Sequence, residues 1–190
     1  FIRWRLVGRW WHVRRRWRLG GLVMAGTLTR MWRHLATPAA SAWFPADAMD
    51  RIAAAIAMSE SCHTAEVCFA VEATLPWGAL LRGVEARTRA EEAFARLRVW
   101  DTAANNGVLV YLLMADHRIE IVADRGLAGR VSEAQWRGVC QLMEGALAGG
   151  DHVDAVVSGI EATGDLLASH FPREPGDGDI DELSNRPVML

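Results

Sequence analysis

NNGVLVYLLMADHRIEIVADRG, residues 105–126, contains two predicted strands joined by a tight turn. Residues 108–115 are apolar on both faces, as expected of a central strand that helices cover on each side. Residues 118–124 alternate between apolar and polar side chains, which favours a strand with two different faces. Asp116 and His117 lie between them and suffice for a two-residue hairpin turn. The stretch therefore predicts an antiparallel strand pair inside a sheet.

The sequence before this pair predicts a helix, a strand and a second helix. Residues 44–60 place apolar side chains at helical spacing behind Pro45, a residue suited to a first helical turn. Residues 65–73 alternate as a strand does, and residues 85–100 return to helical spacing. Residues 75–83 contain a proline and a glycine and are predicted to be a loop.

Two further helices follow the strand pair. Ser132 and Gln135 have the spacing of a capping box, and the helix that they begin ends at Gly149 and Gly150. Asp151 caps the last helix. The predicted order is α-β-α-β-β-α-α. Because a helix joins the first two strands, they should run parallel through a right-handed crossover. The sequence thus predicts an α/β fold, a three-layer α/β/α sandwich around a small mixed β-sheet.

The bulk composition excludes several classes of protein. A chain of 190 residues, 51% of them hydrophobic, is long enough for one domain with a packed core. The three cysteines include no CxxC pair, which argues against a disulfide framework or a zinc ribbon and favours a reducing compartment. No apolar run approaches the roughly 20 residues of a membrane span. We expect a cytoplasmic protein, with peripheral membrane contact as a further possibility and secretion less favoured.

Charge is distributed very unevenly along the chain. Residues 1–46 contain nine arginines and no acid, whereas residues 47–190 contain 12 arginines and all 23 acids. Three regions are therefore expected. They are a basic Arg/Trp-rich segment over 1–43, a folded domain over 44–172, and an acidic flexible tail over 173–190.

The basic segment has three interpretations. Arg14, Arg15, Arg16 and Trp17 are typical of contact with anionic lipid, where arginine meets phosphate and tryptophan sits among the headgroups. The same residue types bind nucleic acid through phosphate contacts and base stacking, although this partner is less favoured. Translation of GC-rich DNA upstream of the natural start would also produce such a sequence, and this interpretation is favoured over the other two. The lipid interpretation predicts peripheral contact with an anionic membrane through residues 1–36.

Acidic and amide side chains cluster at one end of the predicted sheet. The first two strands begin at this end and the third finishes there, so polar residues beside these strand ends should converge. Oxygen-rich groups of this kind suit a hard divalent cation such as Ca²⁺ or Mg²⁺. The candidate ligands are Glu60, Glu66, Asp101, Asn106 and Asp124. The alternative is that these residues cap helices, flank strands or pair with Arg125.

The chain resembles the TPM domain family, which is named for thylakoid-lumen, photosystem II repair and acetylcholine-receptor-modulator members. The resemblance rests on IAMSESCHTAEVCFAVEA (56–73), WDTAANNGVLVYLLMADHRIEIVADRGL (100–127), Trp136 and GGDHVDAVVSGIEATGDLLASHFP (149–172). It covers roughly residues 44–172 and is greatest for the short proteobacterial type without a membrane anchor. It implies an α/β/α sandwich. Some members are described as acid phosphatases, some as binding calcium or other divalent ions, and others as assisting membrane-protein complexes.

The resemblance supplies no general catalytic motif. It supports only the acidic residues at the sheet end, chiefly Asp124 with Glu66 and Asn106. We therefore expect a divalent-cation-binding interaction or assembly module with an unknown protein partner. The alternative is a metal-assisted, acid-phosphatase-like phosphomonoesterase, in which a cation polarises the phosphoryl oxygen.

Overall fold

A computed structural model of the chain describes residues 23–174 and 181–190, with side chains from residue 26 onward. The helices are α1 Val23–Ala36, α2 Ala40–Trp43, α3 Ala46–Glu60, α4 Trp77–Leu81, α5 Ala86–Arg96, α6 Glu133–Ala148 and α7 His152–His170. The strands are β1 Glu66–Glu72, β2 Gly107–Leu113, β3 Arg118–Ala123 and β4 Val188–Met189. A short 3₁₀ helix, Arg125–Leu127, follows β3.

The strands form one mixed sheet in the order β3-β2-β1-β4. β1 and β2 are parallel, and β3 runs antiparallel to β2, as the sequence predicts. Every residue of β1 and β2 is buried, because each strand has a neighbour on both sides and helices on both faces.

Helices cover the two faces of the sheet and bury separate apolar clusters. On one face α3, α6 and α7 pack over side chains such as Phe69 and Val110. On the other face α5 packs over Leu109 and Tyr111, with Met31 of α1 at the margin. The predicted three-layer α/β/α sandwich is therefore confirmed.

The end of the chain adds the edge strand β4, which the sequence pattern does not predict. Val188 and Met189 pair in parallel with Ala70 and Val71, and the Leu190 amide donates to the Val71 carbonyl at 2.9 Å. Residues 181–190 thus lie against the sheet, in contrast to the flexible tail expected over 173–190. A two-residue strand is too short to show a period of its own.

The loop predicted over residues 75–83 is wrong at its centre, where Trp77–Leu81 forms helix α4. Pro76 occupies the position before the helix, where an amide hydrogen would have no partner within the helix. Proline lacks this hydrogen, so no helical hydrogen bond is lost. The proline therefore begins a helix here and does not interrupt one.

Helix α1 is held to the sheet through Asp116, in the turn between β2 and β3. Arg30 Nη2 lies 2.7 Å from Asp116 Oδ2 and also donates to the Val84 carbonyl at 2.7 Å. His34 Nδ1 accepts from the Leu75 amide at 3.1 Å, so its Nε2 carries the hydrogen that faces Asp116 Oδ1 at 3.3 Å. These contacts fix α1 beside the segment that contains α4.

A buried ionic group joins β1, β2 and α5 at the far end of the strands. Arg89 forms a bidentate pair with Glu72, with distances of 2.8 Å from Nε to Oε2 and 2.9 Å from Nη2 to Oε1. Tyr111 Oη donates to Glu72 Oε2 at 2.6 Å. Because the Glu72 carboxylate is only 3% exposed, these three donors replace the water that it loses on folding.

His63 follows α3 and is completely buried. Its Nε2 lies 3.0 Å from Ser59 Oγ, and Arg173 Nη2 donates to its carbonyl oxygen at 3.0 Å. Burial lowers the pKa of His63 to about 4, against an opposing backbone hydrogen bond with Ala65, and the charge of Arg173 lowers this pKa further. Burial therefore favours the neutral imidazole in the folded protein.

The first prediction concerns the buried Glu72–Arg89 pair. Glu72→Gln keeps the size of the side chain but leaves Arg89 facing an uncharged group in a buried position. We expect the free energy of unfolding to fall by roughly 3 kcal/mol, measured by urea denaturation. Glu91→Gln is the matched control, since it breaks a half-exposed i,i+4 pair with Arg87. The control should cost less than about 0.5 kcal/mol, and equal effects of the two changes would contradict the prediction.

The second prediction concerns the pH dependence of stability. Because the pKa of His63 is lower in the folded state, its neutral form stabilises the protein fully above the unfolded value of 6.5. This contribution is lost as the pH falls from 6.5 towards about 4 and amounts to roughly 3 kcal/mol at most. His63→Gln should flatten the unfolding free energy across that window. A wild-type slope in His63→Gln would refute the assignment.

Candidate functional site

The strand register brings three of the predicted site residues to one end of the sheet. Glu66 is aligned with Gly107, and the amide of Asp124 donates to the Gly107 carbonyl at 2.9 Å. Asn106 immediately precedes Gly107. Glu66, Asn106 and Asp124 therefore meet where β1 and β2 begin and β3 ends, and we call this group the acidic corner.

The two other predicted residues have different surroundings. Glu60 is buried at the end of α3, where its Oε1 accepts a hydrogen bond from the Val67 amide at 2.7 Å. β4 pairs only with Ala70 and Val71 of β1. The Val67 amide of β1, which β4 does not reach, therefore donates its hydrogen bond to the Glu60 carboxylate. Asp101 lies on the surface, 3.7 Å from Arg98 Nε, with 54% of its side chain exposed.

Asp124 and Arg125 join the end of β3 to the turn before β2. Asp124 Oδ1 accepts from the Arg125 amide at 2.7 Å and so begins the 3₁₀ helix. The Arg125 Nε donates to Asn105 Oδ1 at 2.8 Å. Asn105 has a positive φ of 53°, a backbone conformation that asparagine tolerates better than most residues. The guanidinium of Arg125 is thus bound to a turn residue.

Two glycines permit the close backbone contacts at this end of the sheet. A Cβ atom on Gly126 would lie 2.5 Å from the Asn105 carbonyl oxygen. A Cβ atom on Gly107 would lie 1.9 Å from the Val99 carbonyl oxygen. No other residue fits either position without moving the backbone, so these glycines bring the acidic corner together.

Two oxygen atoms at the acidic corner are buried without a hydrogen-bond partner in the part of the chain that the structure describes. They are Asn106 Oδ1 and Asp124 Oδ2. The amide group of Asn106 is oriented by its Nδ2, which donates to the Thr64 carbonyl. An unsatisfied buried acceptor costs about 1–3 kcal/mol, and a cation or a water would remove this cost.

The carboxyl groups at the corner are harder to ionise than usual. Burial raises the pKa of Asp124, against the opposing amide and charge of Arg125. Burial also raises the pKa of Glu66, and the charges of Asp181 and Glu182 add to the shift, while the Leu183 amide opposes it. A bound cation would favour the ionised form of both groups.

The last described segment crosses this end of the sheet. The Leu183 amide donates to Glu66 Oε2 at 3.3 Å, and Glu182 Oε2 accepts from the Ala103 amide at 2.8 Å. Sequence analysis did not predict these contacts, because residues 181–190 show no periodicity that assigns them to the sheet.

The donor set suits a hard cation with an incomplete protein shell. Carboxylate and amide oxygens are the ligands that Ca²⁺ and Mg²⁺ prefer, and Ca²⁺ takes six to eight of them. Among residues 23–174 and 181–190, no group of three or more His, Cys, Asp and Glu side chains is placed to hold a metal ion. The oxygens that would serve as metal ligands are Asn106 Oδ1, Asp124 Oδ2 and the Glu66 carboxylate. Water or another molecule would complete the coordination.

The predicted lipid or nucleic-acid contact through Arg14, Arg15, Arg16 and Trp17 lies outside the described residues. Over the described part of the chain, the structure contains no helix whose length and apolarity would let it cross a membrane.

Comparison with known proteins identifies the family. No curated protein matches the chain. The NMR structure of the BA42 protein from the psychrophilic bacterium Bizionia argentinensis sp. nov. is similar, with a TM-score of 0.68 and 28% sequence identity. The match covers 78% of this chain and 96% of that one. The sequence also matches the TPM domain over residues 41–166, close to the span expected from the motifs. The chain therefore belongs to the TPM domain family.

Proposed function

We propose that this TPM-domain protein is a divalent-cation-binding interaction module whose cation occupies the acidic corner. The observation that supports the proposal is the pair of buried, unpartnered oxygens, Asn106 Oδ1 and Asp124 Oδ2. The other polar atom of each side chain is already hydrogen-bonded. Asn106 Nδ2 donates to the Thr64 carbonyl, and Asp124 Oδ1 accepts from the Arg125 amide. The two side chains are therefore held in place before any ligand arrives.

The charge at the corner favours a cation over an anion or a neutral ligand. Glu66 and Asp124 are both buried carboxyl groups, and Asp181 and Glu182 lie close enough to Glu66 to raise its pKa. The charge of Arg125 opposes that of Asp124, but the Arg125 guanidinium is bonded to Asn105. A divalent ion would relieve the repulsion among these acids and stabilise the folded state by binding it alone.

The protein would leave part of the ion's coordination open, and in this proposal a partner binds there. Asn106, Asp124 and Glu66 supply fewer oxygens than Ca²⁺ takes, so several coordination positions remain for other groups. An oxygen from a partner protein would complete the shell and couple partner binding to the cation. The partner itself would be recognised by a carboxylate, carbonyl or phosphate oxygen that enters at this end of the sheet.

A metal-assisted phosphomonoesterase would use the same positions for a phosphate ester. Such a reaction needs positive charge that stabilises the phosphoryl oxygens in the transition state. The guanidinium of Arg125, whose charge acts on Asp124, is already hydrogen-bonded to Asn105. We therefore place the interaction module first and the phosphomonoesterase second.

The third prediction tests the cation site by thermal unfolding, first with a chelator and then with excess Ca²⁺ or Mg²⁺. At about 100 times the dissociation constant, a native-only site adds about 2.7 kcal/mol, which raises the Tm by several degrees at this size. Asp124→Asn should abolish the rise. It should also leave the Tm in chelator unchanged or higher, because it removes a buried charge whose desolvation is unfavourable.

Asp101→Asn is the matched control, since it removes an exposed carboxylate that precedes β2. It should keep the full cation-dependent rise. A wild-type protein without a rise, or equal losses in both variants, would contradict the proposed site. Hydrolysis of p-nitrophenyl phosphate that requires the cation and is lost in Asp124→Asn would favour the phosphomonoesterase.

A further inference from the structure

The last three residues of the chain are fixed to the sheet by strand pairing. Val188 and Met189 pair with β1, and the Leu190 amide donates to the Val71 carbonyl at 2.9 Å. The side chains of Val188 and Leu190 also pack against the buried apolar cluster on the α5 side of the sheet. The attachment of residues 188–190 therefore rests on the backbone and on apolar contacts.

Residues 181–183 cross the acidic corner, and we call them the corner strap. The Leu183 amide donates to Glu66 Oε2 at 3.3 Å, and Glu182 Oε2 accepts from the Ala103 amide at 2.8 Å. Glu66 begins β1, and Ala103 lies in the turn before β2. The corner strap thus joins the segments where the two parallel strands start.

The corner strap brings negative charge to an end of the sheet that is already acidic. The charges of Asp181 and Glu182 both oppose the ionisation of Glu66. Attachment of the strap beside ionised Glu66 is therefore electrostatically unfavourable, while a single hydrogen bond adds only a modest net stabilisation. The balance between these two effects depends on the total charge at the corner.

We propose that a cation bound at the acidic corner controls the corner strap, which is held more firmly against the sheet in the cation-loaded protein than in the cation-free one. This inference rests on the proposed function. A divalent ion at Glu66 and Asp124 would attract Asp181 and Glu182, where the uncompensated carboxylates repel them. The ion and the strap would then stabilise each other.

The strap acids would act on the ion through space and not as its ligands. Within the described ranges, 23–174 and 181–190, no three His, Cys, Asp or Glu side chains are placed to hold a metal. A carboxylate has about four acceptor sites, so Glu66 can bind the ion without losing the Leu183 amide. The coordination positions proposed for a partner therefore stay open. A partner that approaches this end of the sheet would meet an ordered rim when the ion is bound.

The fourth prediction is tested by amide hydrogen exchange of the full chain, measured by NMR with a chelator and then with excess Ca²⁺ or Mg²⁺. The Leu183 and Ala103 amides should exchange at least about fivefold more slowly with the cation, because the strap must open before either amide is released. The Leu190 amide is the internal control. It should change much less, because strand pairing holds it in both states.

The double variant Asp181→Asn, Glu182→Gln removes both charges of the strap but keeps an oxygen that can accept from Ala103. In chelator, its Leu183 amide should exchange more slowly than that of the wild type, and the cation should add little further protection. By linkage, the variant should also bind the cation more weakly, by the factor of protection that it has lost, measured by calorimetry.

Asp47→Asn, Asp50→Asn is the matched control, since it removes two exposed carboxylates near the start of α3. Because α3 has 15 residues and ends at Glu60, its first turn lies roughly 20 Å from that end. This control should keep the wild-type exchange rates and the wild-type cation affinity.

The outcomes separate the strap from the cation site itself. A cation-dependent rise in Tm without added protection at Leu183 would overturn this inference and leave the proposed cation site standing. Faster exchange at Leu183 with the cation would also overturn it, because the ion would then displace the strap. Equal protection at Leu183 and Leu190 would do the same, since it would report a general stabilisation. Absence of cation binding would overturn both proposals.

Discussion

The parallel pairing of β1 with β2 is the interaction on which the rest of the structure depends. All seven positions of each strand are paired and buried, so both faces of the pair require a helical layer. The pairing begins at Gly107, where the backbone passes so close to the Val99 carbonyl that no side chain fits. The same register places Glu66 beside Asn106 and, through the antiparallel strand β3, beside Asp124. One steric constraint therefore aligns the core and assembles the candidate site.

The buried polar groups show two different ways of removing charge from water. Glu72 is surrounded by donors from Arg89 and Tyr111, and Asp116 by donors from Arg30 and His34. Asp124 receives one amide hydrogen from Arg125, and its second oxygen has no donor within the described residues. The carboxylates of Glu72 and Asp116 are thus surrounded by donors, whereas that of Asp124, within the described residues, is not. This contrast supports a ligand role for Asp124 more directly than membership of the TPM family, since one fold hosts many functions.

Much of the fold follows from local sequence patterns. The strands predicted over residues 65–73 and 118–124 and the cap formed by Ser132 and Gln135 are each confirmed by the structure. β4 escapes prediction because two residues carry no period, and it forms only where the distant strand β1 offers a free edge. Helix α4 escapes because Pro76 and Gly78 are also common in loops, and their roles depend on which side of the helix boundary they fall.

Only part of the candidate site could be predicted from the sequence. Strand order and direction suffice to predict that Glu66, Asn106 and Asp124 share one end of the sheet. The hydrogen bonds that leave one oxygen unpartnered depend on side-chain geometry, as in the contact of Asn106 with Thr64. The exposure of Asp101 and the burial of Glu60 depend likewise on packing, because both are acids near a strand start.

The position of Asp116 shows that the two ends of the sheet carry different features. Asp116 follows the end of β2, whereas Asn106 precedes its start, so helix α1 and the acidic corner lie at opposite ends of the same strand. Seven strand residues at about 3.3 Å each separate these ends by roughly 20 Å. A molecule that binds at the end of the sheet beside α1 would therefore leave the acidic corner accessible at the other end. The two ends could then be occupied at the same time, with the sheet acting as a rigid spacer between them.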